Sequence, residues 1–407
     1  MQTALADFIR YTPQGIEADA ILRSCVHCGF CNATCPTYQI LGDELDGPRG
    51  RIYLIKEMLE GRAVSRRTLT HLDRCLSCRN CETTCPSGVQ YGRLVDIGRE
   101  LIEPRVERPW FERLQRWTLR KVIPYPARFA PLLRFGQMLR PIFPGSFKRK
   151  IPARRRVSGE WPATRHGRRM LVLEGCVQPA MAPNINAAAA RVLDRLGIRL
   201  VVANGSGCCG AASHHTSGVT EGLDFARRNI DAWWPDIEAG AEAIVMTASG
   251  CGVHVKDYGH LLQRDSAYAE KARRVSELTR DISEILTKEN LSALKPASAG
   301  VKLAFHAPCT LQHGQKLNGV VEKILRDAGF TLTPVPDAHL CCGSAGTYSL
   351  LQPVLARRLR ENKIQSLQSG RPDLMVTANI GCLAHLQSGS EKPLRHWIEV
   401  MDGAAGR

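Results

Sequence analysis

Sixteen cysteines hold most of the chemistry this chain can offer, and every one belongs to one of two repeating patterns. Cys25, Cys28, Cys31 and Cys35, followed by Pro36, recur 50 residues later as Cys75, Cys78, Cys81 and Cys85, followed by Pro86. Each run reads C-x2-C-x2-C-x3-C-P. Three thiolates within seven residues let one loop wrap three corners of a cubane, in which each iron needs a soft sulfur ligand. The competing reading is a pair of four-cysteine zinc sites, but zinc normally takes two C-x2-C knuckles separated by a longer loop. Iron–sulfur electron transfer is therefore the expected chemistry. Arg74, Arg79 and His27 lie beside these cysteines in sequence, where positive charge would favour the reduced form of a cluster.

The second pattern is different. Cys176, the pair Cys208–Cys209 and Cys251 recur as Cys309, the pair Cys341–Cys342 and Cys382, at offsets of 133, 133 and 131 residues, and each copy ends in C-x2-H at His254 or His385. Adjacent cysteines bridge each other poorly, and Gly205, Gly207, Gly210, Gly343 and Gly346 let backbone approach a bound group. The residues leave two readings open: a third metal centre in which the histidines join the thiolates, or buried or redox-active thiols. His214, His215, His306 and His313 are each expected to be satisfied loop or core histidines.

The elements that must carry these residues differ between the halves. IEADAILRS before Cys25, GRIYLIKEMLEG after Pro48 and SRRTLTHLDR before Cys75 have helical periodicity. Beyond residue 170, apolar runs (MLVLEG, RLVVANG, EAIVMTASG, VKLAFHA, TLTPVPD, DLMVTANIG) alternate with helical stretches such as INAAAARVLDRLG and VVEKILRDAG. That alternation predicts α/β units with parallel strands and cysteines at strand ends or in the following loops.

The chain has 407 residues and a formal charge of +16. Between Arg105 and Arg169 stand eighteen Lys/Arg against Glu107, Glu112 and Glu160, so nearly all the excess lies in one proline-cut segment. It interleaves Trp110, Phe111, Trp117, Phe129, Phe135, Phe143 and Phe147 with arginines and is expected to be an extended connector with short helices. Such a segment suits an anionic membrane surface or a partner protein; no nucleic-acid recognition motif accompanies it. MQTALADFIRYTPQG lacks the pattern of a signal peptide, and no apolar stretch is long enough to span a bilayer. The expected setting is cytoplasmic, with any membrane attachment peripheral.

The second pattern resembles the cysteine-rich CCG domains of heterodisulfide reductase catalytic subunits, of the third subunit of anaerobic glycerol-3-phosphate dehydrogenase and of lactate-utilisation proteins. With the paired cysteine runs, LDGPRGRIYLIKEMLEG, LVLEGC and HLCCGSAGTYSL, the chain from about Ile21 onward resembles the glycolate oxidase (glycolate dehydrogenase) iron–sulfur subunit family. Heterodisulfide-type CCG motifs end in C-x2-C, and both copies here depart from that. The resemblance implies an α+β multidomain chain: a helical ferredoxin-like two-cluster domain over 1–104, the connector over 105–170, and duplicated α/β CCG units over 171–300 and 301–407. As in two-cluster ferredoxins, the fourth cysteine of each run would serve the other cluster. One [4Fe–4S] cluster would then take Cys25, Cys28, Cys31 and Cys85, and the other Cys75, Cys78, Cys81 and Cys35. No convincing dinucleotide fingerprint and no acid–base pair suited to hydroxy-acid oxidation is present, so no catalytic residue is expected on this chain. The resemblance assigns substrate oxidation to partner subunits carrying FAD in a hetero-oligomer, on the cytoplasmic side of the inner membrane with a quinone as acceptor. The same modules serve glycerol-3-phosphate dehydrogenase, a CCG-type disulfide or quinone reductase, or a DNA-binding redox sensor, and spacing does not separate glycolate, D-lactate and glycerol 3-phosphate as substrates.

Overall fold

The computed structural model describes residues 1–145, 148, 151–155, 159–294 and 300–403; Phe147 of the basic segment lies outside them. The chain divides into two compact units, one of Met1–Arg116 with His339–Leu359 and one of Trp117–Ala338 with Arg360–Arg407.

The first unit is helical. Helices Pro13–Ser24, Pro48–Leu59, Arg66–Asp73 and Tyr91–Ile102 bury one apolar stripe each, and Leu22, Ile55, Leu59, Leu72, Leu94 and Ile102 meet in a fully buried core. Proline opens the first two, where its missing N–H costs nothing and its fixed φ suits the first turn. Thr12 caps the first by accepting a bond from the Gly15 N–H, and Ser65 caps the third through Thr68. The later segment His339–Leu359 belongs to this unit. Asn80 Nδ2 donates to the His339 carbonyl at 3.1 Å, and the Tyr348 hydroxyl donates to the Arg74 carbonyl at 3.2 Å.

The second unit contains two parallel sheets built alike. Strands β1 (Arg168–Val172), β2 (Ile198–Val202), β3 (Ile244–Met246) and β4 (Thr279–Asp281) lie in the order β2-β1-β3-β4. Strands β5 (Lys302–His306), β6 (Thr331–Leu332), β7 (Leu374–Thr377) and β8 (Leu394–His396) repeat that order as β6-β5-β7-β8. In each sheet the chain leaves the first strand to one side and returns on the other. The crevice at the carboxyl ends of the two central strands is the switch point where open α/β sheets place ligands. Register pairs Leu171 with Ile244 in the first sheet and His306 with Thr377 in the second. Both sheets end in the same device: Asp281 and His396 cap the helix after the last strand, each in a capping box with a glutamate three residues on, Glu284 or Glu399.

The basic segment is more regular than expected. In place of an extended connector with short helices, it carries two longer helices, Trp110–Val122 and Pro126–Leu139. In the first unit Arg108 is buried against Asp73 at 2.6 Å and Glu103 at 2.8 Å, and Arg116 reaches Asp73 at 3.0 Å. Its aromatic side stays open, with Trp110 73% exposed. Among the described residues no helix is long and apolar enough to cross a membrane.

Candidate metal centres

The two cysteine runs fold the same way because the same positions take the same backbone. His27 and Gly29 in the first loop, and Ser77 and Arg79 fifty residues on, all have φ between 51° and 89°. Three of these four are not glycine, and left-handed conformations cost such residues energy unless the surroundings enforce them. Short helices, Phe30–Ala33 and Asn80–Thr84, then carry each chain to its fourth cysteine.

The fourth cysteines cross over. The Cys31 thiol is pushed up to about 11, by burial first and then by the negative charge of Cys25, Cys28 and Cys85. Cys81 is pushed well above its ordinary value by burial, then by Cys78, Cys75 and Cys35. Each group of three thus has the other run's fourth cysteine for a neighbour. A cavity at the first loop is lined by Cys25, Cys28, Cys31, Cys81 and Cys85, with Ile52 and Val89 on its apolar side. Thiols crowded this tightly repel one another once ionised, and a cationic iron cluster would reverse that repulsion. The donor set and the cavity fit such a group.

The second group stands in a positive setting. Burial alone would raise the Cys75 thiol, yet Arg51 and Arg99, the Tyr91 hydroxyl at 3.5 Å and the Ser77 N–H at 3.4 Å hold it below its ordinary value. Arg51 is fully buried. It donates to the His71 carbonyl at 2.7 Å and to Thr37 Oγ1 at 3.2 Å, and it faces Asp46 at 3.3 Å. Thr37 in turn lies 3.3 Å from Cys35 Sγ. Arg99 donates to the carbonyls of Cys75 (2.6 Å) and Leu72 (2.9 Å) and to Ser77 Oγ (2.7 Å). These two guanidiniums act on Cys75 from outside its own loop. Arg74 is held by Asp46 at 2.8 Å, and burial and then Arg49 keep His27 below its ordinary pKa, hence neutral near pH 7. A signal for Arg51 was present: at Pro48, Ile52, Ile55 and Leu59 the helix shows its buried stripe, and Arg51 falls on it.

In the cysteine-rich half each thiol lands at a carboxyl end of a strand. Cys176 follows β1, Cys208–Cys209 follow β2, and Cys251 lies in the helix Ser249–Lys256 after β3. The four form a chain of thiol contacts. Cys176 meets Cys208, Cys208 meets Cys209, and Cys209 meets Cys251. The Cys208 thiol rises to about 12: the bond with Cys176 opposes the rise, while Cys209 and burial drive it. Neutral buried thiols are poor nucleophiles. Two side chains brace the pair, Asn229 donating to the Cys208 carbonyl at 2.9 Å and Tyr258 to the Cys209 carbonyl at 2.7 Å.

The second copy repeats the local geometry. Gly210 N donates to Cys208 Sγ, and Gly343 N to Cys341 Sγ, both at 3.4 Å. Both glycines are left-handed, at 93° and 87°, and a Cβ on either would meet a backbone carbonyl, Gly222 O at 2.5 Å or Ala356 O at 2.7 Å. Cys309 follows β5, and Cys382 lies in the helix Ile380–Gln387 after β7, accepting from Asn379 Nδ2 at 3.4 Å. Cys341 and Cys342 travel with the first unit, where Cys341 lies near Tyr348 and Tyr348 near Cys75. Of the two C-x2-H histidines, His254 is buried on Tyr258 (ring centroids 5.8 Å apart) beside His214 at 5.4 Å and His215 at 5.9 Å, and His385 is half-buried.

Comparison with known proteins finds a different kind of domain over each of the two cysteine patterns. A 4Fe-4S dicluster domain matches residues 21–89, and a cysteine-rich domain matches twice, over 170–256 and 303–387. The chain is 59% identical over 404 residues to the glycolate oxidase iron-sulfur subunit of Escherichia coli (strain K12), covering 99% of both chains. It is 27% identical over 401 residues to the probable glycolate oxidase iron-sulfur subunit of Bacillus subtilis (strain 168), covering 91% of this chain and 89% of that one. Against lactate utilization protein A of Bacillus licheniformis it is 27% identical over 238 residues, 56% of this chain and 96% of the relative. Dicluster loops, duplicated cysteine-rich sheets and near-complete coverage at that identity together make this chain a member of the glycolate oxidase iron–sulfur subunit family.

Proposed function

We propose that this chain is the electron-transfer subunit of a glycolate dehydrogenase complex, holding one [4Fe–4S] cluster on Cys25, Cys28, Cys31 and Cys85 and another on Cys75, Cys78, Cys81 and Cys35. The observation that carries the reading is the crossover: Cys85 neighbours Cys31, and Cys35 neighbours Cys81. Bound there, the clusters would supply one-electron acceptance, dividing the two-electron oxidation of glycolate to glyoxylate at a partner's FAD into single steps toward a membrane quinone. The chain's own residues contribute the rest. Strained loops fix the thiols, Arg51 and Arg99 bias the second group toward the reduced state, and the apolar shell of Ile52 and Val89 limits water at the first.

The cysteine-rich half is the onward stage. Tyr348 and Cys341 lie within the same compact unit as Cys75, which supports a short path out of the second group. The thiols of Cys176, Cys208, Cys209, Cys251, Cys309, Cys341, Cys342 and Cys382 are mostly buried, and those of Cys176, Cys208 and Cys209 are held neutral, which favours a metal centre over free redox thiols. The open aromatic side of the basic helices offers the complex a peripheral contact with partner subunits or an anionic bilayer. D-Lactate is a second substrate of the same chemistry.

The test is anaerobic isolation of the tagged chain from cell extract, followed by assays for iron, acid-labile sulfide, FAD and glycolate-dependent dye reduction. Iron and sulfide in equal amounts, co-purifying FAD and glycolate activity are expected. Iron without flavin, or activity with glycerol 3-phosphate alone, would refute the assignment.

A further inference from the structure

The two cysteine-rich copies are built alike but do not offer the same donors. Strand β5 ends at His306, three residues before Cys309. Its ring is buried, and among the described residues neither nitrogen has a hydrogen-bond partner. That differs from the satisfied core histidine expected from the sequence. A neutral imidazole carries one donor and one acceptor, and burying both unmet forfeits the water contacts of each with nothing in return. Buried polar atoms are paired with few exceptions, and an exception calls for a missing partner.

The position says what that partner is. His306 stands at the carboxyl end of β5, in register with Thr377 at the end of β7, so it borders the switch-point crevice of the second sheet. Its ring offers a nitrogen within 4.8 Å of Cys382 Sγ. Asn379 already orients that sulfur through its 3.4 Å bond. In the first copy the residue at the same 133-residue offset is Leu173, buried and apolar, so this imidazole belongs to the second copy alone. Within the second unit the motif supplies Cys309 and Cys382, and His306 adds a nitrogen to their two sulfurs. Imidazole also suits iron and replaces thiolate in Rieske centres.

We propose that His306 is a nitrogen ligand, beside Cys382 and Cys309, of an iron–sulfur centre in the crevice of the second sheet; this rests on the reading that the cysteine-rich half holds a metal centre. His385, the histidine of the C-x2-H ending, is half-buried on the same helix as Cys382 and is not needed for it.

The test uses the full chain in its anaerobically purified complex, with and without 15N-histidine labelling, read by pulsed electron paramagnetic resonance and metal analysis. The native protein should show a third centre with a directly coordinated nitrogen coupling that changes on labelling. His306→Ala should lose that coupling and the iron in excess of the two ferredoxin-type clusters, while His306→Cys should keep the iron, lose the coupling and lower the potential of the centre. A third centre with no nitrogen coupling, or one unaltered in both variants, would overturn the ligand while leaving the centre. Zinc in its place, or no third centre in the native complex, would overturn both.

Discussion

Replacing Arg99 separates charge from scaffolding at the second cysteine group. Its guanidinium binds the carbonyls of Leu72 and Cys75 and the hydroxyl of Ser77, all between 2.6 and 3.2 Å, so the fork both positions the loop and lays a positive charge beside the Cys75 thiol. A unit charge about 8 Å from a cluster centre, at an effective dielectric near 20, contributes about 2 kcal/mol, which corresponds to about 90 mV for one electron. Arg99 is half-buried, and solvent screening trims this to roughly 50 mV. Removing a positive charge disfavours the added electron, so Arg99→Gln should lower the midpoint potential of one of two signals in an anaerobic, EPR-monitored redox titration. Arg99→Lys keeps the charge but loses the fork. It should leave the potential near native while costing about 2 kcal/mol of stability, the worth of one charge-assisted hydrogen bond. Equal shifts in both variants, or no shift in Arg99→Gln, would refute the idea that this charge tunes the group.

Three further outcomes follow from the geometry. Asp46→Ala strips the fully buried Arg51 of its only ion-pair partner recorded among the described residues, together with the contacts to Arg74 and His71; a loss of about 3–5 kcal/mol should appear as a lowered melting temperature. Burial holds the His396 pKa at about 4, outweighing the 2.9 Å bond to the Thr247 carbonyl. The unfolded chain therefore takes up a proton near pH 6.5 that the folded one refuses, so stability is whole above that pH and falls as pH drops toward 4, by about 2 kcal/mol at pH 5. His396→Asn, which can still cap its helix, should flatten the melting temperature against pH over that window; an unchanged slope would count against it. Burial raises Asp281, the matching cap of the first sheet, to about 6, and it works in the opposite sense, so the comparison must be variant against native. Gly210→Ala adds a Cβ 2.5 Å from a carbonyl at a left-handed φ, whereas Gly240→Ala meets only the conformational strain; the first should be the more destabilising by about 2 kcal/mol or more in thermal melts.

Ligand chemistry made the cysteine runs legible in sequence, because a cluster held by one loop dictates spacing. The six apolar runs were legible as strands for a related reason: strands buried on both faces read as unbroken hydrophobic stretches. Strands β4 and β8 were not. They are three residues each, Thr-Arg-Asp and Leu-Arg-His, and their membership is set by pairing with β3 and β7 and by the capping boxes that follow. Charge from Arg51 and Arg99 was not legible, because sequence adjacency does not mark it. Arg74 is next to Cys75 in the chain yet bonded to Asp46, while Arg51 and Arg99, 24 residues away on either side, act on that thiol. His306 was read as satisfied because nothing local marks a histidine whose nitrogens lack partners; that is a property of the finished core.

The crossed cysteines are most directly tested by an anaerobic crystal of the chain with diffraction recorded on both sides of the iron absorption edge. Two iron clusters are expected in the first unit, with Cys85 Sγ bonded to the cluster of Cys25, Cys28 and Cys31, and Cys35 Sγ to that of Cys75, Cys78 and Cys81. Each run closing on its own fourth cysteine, or anomalous signal at the zinc edge instead, would contradict the account.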